Sequence, residues 1–289
     1  MADTLPLAFQ AEFDSRVEVV YQGHQMLMDR IYQKTGVVGK YCQFRRVGRG
    51  VATPHVRNAP LTSLNLDTIV QTAELTDWDA PERLDPFDLA KINWDDMGVV
   101  AESLGLAIAR RADQIKIDAF QAGVTQTIPV TYGAMANTGL TVLKINHARA
   151  ILQQNAVPMQ QGRWCAAISG EASESALNEE KIGSQFYNMF LSLFQGQIVN
   201  YSNFEFVVIP NVQEGGLPLS GDIRSCYFFD KMCAGYAEGL QEGMDGRVRT
   251  DWSPDYQGWI LNARLSAGAK VIEPSGLIEV LVDQTKIGS

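Results

Sequence analysis

Residues Asp95–Gln121, with the sequence DDMGVVAESLGLAIARRADQIKIDAFQ, carry the clearest structural signal in the chain. Apolar side chains recur there at spacings of three and four residues, which is typical of a helix that buries one face. They are Met97, Val100, Ala101, Leu104, Ile108, Ala112, Ile115 and Ala119. Gly123 follows, and glycine commonly ends helices. The spacing predicts a single helix about 40 Å long.

The sequence before this helix begins with a basic block, residues 34–57, that contains no acidic residue. Its cations are Lys34, Lys40, Arg45, Arg46, Arg49 and Arg57. Residues Tyr41–Val47 alternate in polarity and are flanked by glycines. Alternation next to glycine is typical of strands joined by turns. The block therefore predicts an extended, basic β-hairpin.

An acidic block follows directly, in which only Arg83 and Lys91 oppose eight carboxylates. These are Glu74, Asp77, Asp79, Glu82, Asp85, Asp88, Asp95 and Asp96. If the hairpin projects from the body, its electrostatic partner is the acidic block of a neighbouring copy. Pairing of the two blocks within one chain is the alternative, and charge alone does not decide between them.

The rest of the chain mixes helices and strands without a repeated βαβ unit, which predicts an α+β fold. An N-terminal arm carrying a short helix is expected within residues 1 to about 30. The predicted helices are 142–155, capped by Thr141, then 174–182 and 229–242. The predicted strands are 163–169, 204–210, one beginning at Cys226, 259–268 and 277–282.

Composition excludes several classes of protein. The chain has 289 residues, 46% of them hydrophobic, and a net charge of −9. These values are typical of a globular protein and argue against a protein whose whole surface grips nucleic acid, but they allow an acidic wall that faces nucleic acid without binding it. No apolar run is long enough for a transmembrane helix, and the opening residues lack the features of a signal peptide. We expect the protein to stay in the cytoplasm of the cell that makes it, with its four cysteines as buried, unpaired side chains.

Catalytic and ligand-binding motifs are weak or missing. Gly48–Thr53 resembles a dinucleotide-binding loop, but it has Thr at the third glycine position and opens no predicted helix. The histidines, His24, His55 and His147, show no metal-ligand spacing. We therefore predict no catalytic residues, no cofactor and no metal site, and a protein that is not an enzyme.

The order of the predicted elements and the residues within them resemble the major capsid proteins of tailed bacteriophages, which share the Hong Kong 97 fold. Phe13–Gln22, Lys34–Lys40 and Phe44–Gly50 are similar to the arm and extended loop of a short-tailed-phage subgroup. The helix from Asp95 is similar to the spine helix of this family. Residues 163–169 and 196–210 are similar to its axial domain, and residues 264–280 to its returning strand.

The resemblance implies an α+β, Hong Kong 97-type capsid fold with an N-terminal arm, an extended β-hairpin loop, a peripheral domain and an axial domain. The implied boundaries are 1–33 for the arm, 34–72 for the extended loop, 73–139 for the peripheral domain with a spine helix at 95–121, 140–265 for the axial domain, and 266–289 for the strand that returns to the peripheral domain.

The function implied by the resemblance is a capsid subunit of the virion, which assembles in the host cytoplasm into pentamers and hexamers around double-stranded DNA. Implied partners are other copies of the chain, a separate scaffolding protein, a portal protein and an optional cement protein, with no membrane. The alternatives are an encapsulin-type compartment shell and a cytosolic hydrolase.

The expected contacts between subunits join the hairpin of one copy to the acidic block of the next. The hairpin side comprises Lys40, Arg45, Arg46, Arg49 and Arg57, and the acidic side comprises Glu74, Asp77, Asp79, Glu82, Asp85 and Asp88.

Overall fold

The computed structural model describes residues 25–286 apart from 56, 58–62, 65, 90–95, 135, 161, 179–199 and 240–247. The strands are β1 Tyr32–Val37, β2 Tyr41–Val47, β3 Thr68–Glu74, β4 Thr76–Leu84, β5 Gln126–Ile128, β6 Trp164–Ser169, β7 Asn200–Tyr201, β8 Phe204–Ile209, β9 Leu219–Ser220, β10 Ile223–Asp230, β11 Ala234–Gly239, β12 Val248–Ser253, β13 Gly258–Val271 and β14 Leu277–Asp283. The helices are α1 Pro86–Leu89, α2 Asp96–Gly123, α3 Val142–Gln154 and α4 Gly170–Asn178. The predicted α+β class is confirmed.

A five-stranded sheet, here called the helix-packed sheet, is built around the long strand β13. One edge of β13 pairs antiparallel with β4, and the other edge pairs with β11 and β12, while β1 pairs parallel with β11. Ile108 and Ala112 of α2 pack on this sheet against Tyr236 and Leu265. The sheet and helix therefore form one layered unit.

The second sheet has seven strands in the order β5-β14-β10-β6-β8-β7, with β9 beside β10. All six residues of β6 are buried. The rings of Phe204 and Phe228 pack edge to face inside this core, with their centres 5.0 Å apart. Ile117 and Phe120 of α2 belong to the same core, so α2 buries one part of its surface against each sheet. The sequence predicted a single apolar stripe; two buried faces are observed.

Helix α3 begins where its cap predicts. The Thr141 hydroxyl accepts a hydrogen bond from the Lys144 N–H, which satisfies one of the free donors of the first turn. The Lys144 ammonium is buried and donates to the carbonyls of Thr138, Gly139 and Leu281 at 2.9–3.0 Å. Burial lowers the pKa of Lys144 to about 8. The Lys144 side chain therefore connects α3 to β14 of the seven-stranded sheet.

The predicted helix 229–242 is wrong. Phe229 and Asp230 end β10, and Ala234–Gly239 form β11. A Cβ on Gly235 would lie 2.6 Å from the Phe44 ring, so this backbone is approached closely by the hairpin, and its pairing with β13 overrides helical periodicity. The predicted helix 174–182 begins earlier, at Gly170, and its last residues lie outside the described ranges.

Other expectations fall partly outside the described residues. The arm 1–33 is described only from residue 25, and residues 25–31 form turns and bends rather than a helix before β1. The predicted helix 95–121 is observed as Asp96–Gly123. No helix within the described ranges has both the length and the apolar character needed to cross a membrane.

The implied domain boundaries stay a prediction. Strands β11, β12 and β13 belong to the helix-packed sheet, where Tyr236 and Leu265 pack against α2. Strand β14 belongs to the seven-stranded sheet, where Leu277 and Val280 are part of the core and β14 pairs with β5.

Candidate subunit interface

The extended hairpin consists of β2 and β3, paired antiparallel from Tyr41 opposite Glu74 to Val47 opposite Thr68. Residues 48–67 connect the two strands and are here called the hairpin tip. Side chains that face each other across a strand pair lie on the same side of the ribbon, and successive pairs alternate sides. The ribbon therefore has a body face, which contains Phe44, and an outer face, which contains Arg45.

The body face anchors the hairpin at its base. Cys42, Phe44 and Ala73 are buried in a cluster with Leu75 and Ala237. The Phe44 ring also meets Tyr32 edge to face, with ring centres 6.1 Å apart. Apolar packing thus fixes the first half of the ribbon to β1 and β11.

The outer face is exposed and partly apolar. Tyr41, Val47 and Val70 keep 57%, 51% and 48% of their surface accessible. The hairpin tip exposes three more apolar side chains, Val51, Leu64 and Leu66. The charges of the hairpin residues do not indicate this apolar surface. The alternation of side chains between the two faces in residues 41–47 was a signal that could have identified it. Contiguous patches of exposed apolar side chains are typical of interaction sites, which makes the outer face a candidate for contact with another chain.

Three of the five predicted cations of the hairpin contact a carboxylate or a backbone carbonyl of the same chain. Lys40 forms a salt bridge with Glu74 at 2.8 Å, and the hydrogen bond and charge of Glu74 raise the pKa of Lys40. Arg46 binds Glu273 at 3.0 Å. Arg49 donates to the carbonyl of Asn155.

The remaining two cations, Arg45 and Arg57, are exposed. Arg45 donates weakly to the Thr68 hydroxyl, with an Nη2–Oγ1 distance of 3.4 Å. Both guanidinium groups are accessible to a partner outside the chain.

The acidic residues lie mainly on β4, which pairs with β13 along one edge. Asp79 forms a salt bridge with Arg264 at 3.0 Å, and Asp85 accepts a hydrogen bond from the Phe87 N–H at 2.8 Å. Asp77 and Glu82 are exposed. Asp88 belongs to α1, but its side chain lies outside the described ranges.

Lys40–Glu74 is a direct salt bridge between the two predicted charge blocks, and it lies at the base of the hairpin. Arg46 instead contacts Glu273, and Arg49 contacts Asn155. The sequence alone did not connect either partner to the hairpin. Contact between the hairpin of one copy and the acidic strand of another stays a prediction.

Groups with catalytic potential are dispersed in the described part of the chain. No three His, Cys, Asp or Glu side chains among these residues lie together as metal ligands. All four cysteines are free and buried, as expected. Burial raises the pKa of the Cys165 thiol to about 11 and that of Cys226 to about 12, so these thiols are poor nucleophiles at neutral pH.

His24 lies outside the described residues, and His55 is exposed. His147 stacks on Tyr132 with ring centres 4.3 Å apart. Neither His55 nor His147 belongs to a group of three metal-ligating side chains among the described residues.

Comparison with known proteins gives a family and a fold. The family model described as phage capsid protein matches residues 5–284. The capsid of cyanophage P-SCSP1u has a TM-score of 0.72 and 15% identity, covering 96% of this chain and 92% of that chain. The head of Helicobacter pylori bacteriophage KHP40 has a TM-score of 0.72 and 10% identity, covering 95% of both chains.

A third similar structure is that of Mycobacterium phage Che8, with a TM-score of 0.67, 14% identity and coverage of 99% of both chains. Among curated proteins, no sequence matches the chain. At these identities the structural matches establish the fold, and the predicted Hong Kong 97-type capsid fold is confirmed.

Proposed function

The chain belongs to the phage capsid protein family, and from this membership we propose that its copies form the pentamers and hexamers of an icosahedral head that encloses double-stranded DNA. The predicted identity as a phage major capsid protein is confirmed by the family match. The protein is therefore a structural component of the virion that acts by associating with copies of itself. The encapsulin and hydrolase alternatives are not favoured.

The exposed outer face of the hairpin supports the proposed contact between subunits. A two-stranded ribbon is marginally stable unless another layer covers it. Here the body face is covered by the chain's own sheet, whereas Tyr41, Val47 and Val70 are left accessible. In the assembled head, this outer face lies on the neighbouring subunit.

Electrostatics supports β4 of the neighbour as the surface that receives the hairpin. Arg45 and Arg57 supply accessible positive charge, and Asp77 and Glu82 supply accessible negative charge. The Asp79–Arg264 bridge is more than half exposed on both sides. An exposed bridge of this kind contributes about 0–1 kcal/mol, so Asp79 can exchange its partner at little cost.

The remaining partners are proposed from the resemblance to the capsid proteins of tailed phages. By that resemblance, DNA enters the shell through a portal protein, and a separate scaffolding protein directs closure in the host cytoplasm. The net charge of −9 supports a wall that DNA passes without adhering. A cement protein is an optional addition on the outer surface.

Assembly is tested by producing the chain with and without its scaffolding protein and imaging the particles by electron microscopy. We expect closed shells of uniform diameter when both are present. A small discrete oligomer under both conditions would contradict the proposed function.

The interface is tested in those shells with the pair Arg45→Cys and Asp77→Cys. The four native thiols are buried, so oxidation reports on the introduced pair. We expect a ladder of covalent oligomers on a denaturing gel, and only monomer from either single variant. Monomer from intact shells of the double variant would overturn the contact without affecting the function.

A further inference from the structure

The chain crosses between the two sheets through two short segments that lie side by side. Residues 231–233 connect β10 to β11, and residues 272–276 connect β13 to β14. The N–H groups of Ile272 and Glu273 both donate to the Cys233 carbonyl, at 2.7 and 2.9 Å. A Cβ on Gly276 would lie 3.0 Å from that of Cys233. These segments, here called the crossing pair, form a tight junction between the sheets.

Arg46 connects the hairpin to this junction. Its Nε lies 3.0 Å from Oε2 of Glu273, and its Nη1 donates to Oε1 at 3.2 Å. Two parallel bonds fix the direction of the guanidinium as well as its position. The Ser275 hydroxyl donates to the same carboxylate at 2.6 Å, so Glu273 is oriented toward the hairpin from within the crossing pair.

Arg49 makes a second connection to the same place. It donates to the carbonyl of Asn155 at the end of α3. The Asn155 side-chain amide donates in turn to the Ser275 carbonyl at 2.7 Å. Arg46 and Arg49 are therefore both linked by hydrogen bonds to residues 272–276.

Packing beneath the hairpin changes along its length. At the base, Phe44 lies directly against Gly235, where no side chain larger than hydrogen fits. Farther out, a cavity of about 180 Å³ is lined by Arg49, Cys233 and Glu273. The hairpin is thus held by apolar packing at its base and by polar contacts beyond it. The outer part can therefore move while the base stays in place.

We propose that the Arg46–Glu273 pair is a latch that holds the hairpin on the crossing pair in the unassembled subunit. Opening of the latch frees the hairpin and loosens the junction between the sheets at the same time. The pair is partly exposed, with 29% and 38% of the two side chains accessible, so it opens reversibly and more readily in salt. This consequence rests on the proposed function: a neighbouring subunit that pulls the hairpin outward would open the latch and so change how the two sheets of the first subunit pack together.

The latch is tested on the unassembled protein by hydrogen exchange with Arg46→Gln and Arg45→Gln. Both variants remove one charge from the hairpin, but Arg45 lies on the outer face and contacts Thr68. For Arg46→Gln we expect exchange to accelerate about five- to tenfold in β2, β3 and residues 272–276 together. Arg45→Gln should leave residues 272–276 unchanged. Wild-type exchange at 272–276 in Arg46→Gln, or an equal acceleration in β6 and β8, would overturn the latch.

Exchange of the two charges provides the second test. Arg46→Glu alone should accelerate exchange in the same segments, and adding Glu273→Arg should return it toward wild type because the pair is restored. Failure of the double variant to recover would also overturn the latch. Both tests use free subunits, so a chain that forms no shells would refute the proposed function and leave this result intact.

Discussion

The seven-stranded sheet and the extended hairpin bury apolar surface in opposite ways. Every residue of β6 is buried within the chain, whereas β2 buries Cys42 and Phe44 and exposes Tyr41 and Val47. The core of the sheet is thus formed within a single copy. The hairpin is covered on one side only by the described residues, and its outer face is the surface that the proposed contact would cover.

The largest effect should come from the sheet. Phe228→Ala removes a fully buried ring that contacts Phe204, and we expect a loss of about 3–5 kcal/mol in the free energy of unfolding. Val70→Ala on the outer face should change it by less than about 0.5 kcal/mol. Urea unfolding of the unassembled protein measures both. Equal losses would show that the hairpin is as integral to the subunit as the sheet.

The base of the hairpin should show an intermediate effect. In Gly235→Ala, the new methyl group would meet the Phe44 ring, and overpacking of this kind costs about 1–3 kcal/mol. Adding Phe44→Leu should recover part of the loss. Gly170→Ala, where nothing lies within 4 Å of the added Cβ, is the matched control. A neutral Gly235→Ala would mean that the hairpin base is not firmly packed.

The buried ammonium of Lys144 should make the sheet sensitive to pH. Its pKa is about 8 in the folded chain and 10.5 when unperturbed, so the unfolded chain binds more protons between these values. The contribution of this residue to stability therefore rises with pH, by about 1 kcal/mol from pH 7.5 to 9.

This dependence is measured as the difference in unfolding free energy between wild type and Lys144→Met at each pH. The comparison cancels the opposing effect of the buried thiols, whose raised pKa values lower stability as the pH rises. A difference that does not vary with pH would contradict the assignment.

The smallest effect on the subunit should accompany a large effect on assembly. Arg45→Glu on the outer face should change the unfolding free energy by less than about 0.5 kcal/mol while reducing the yield of shells. Adding Asp77→Arg should restore shells if the two residues meet across subunits. Sedimentation of assembled particles at low and high salt provides the measurement, and normal shells from Arg45→Glu alone would remove Arg45 from the interface.

The elements governed by local sequence could be predicted. The spine helix and the capped α3 follow from periodicity and from Thr141, which need no distant partner. Strand β11 could not be found in this way because its conformation depends on pairing with β13 and on the Phe44 ring over Gly235.

The candidate site shows the same limit. The charge pattern predicts the hairpin as a contact surface, but it could not separate Arg45 from Arg46. These neighbours point to opposite faces of a ribbon, one toward solvent and one toward Glu273, more than 200 residues away in sequence. Only the register of β2 against β3 assigns each arginine to its side.

The position of β14 has a consequence for how the protein is made. It follows both β5 and β10 in sequence, yet it lies inside the sheet, between them. During synthesis, β5 and one edge of β10 therefore stay unpaired until residues 277–283 become available. A chain cut before residue 277 cannot complete this sheet, and the strand edges it leaves open favour pairing with other chains.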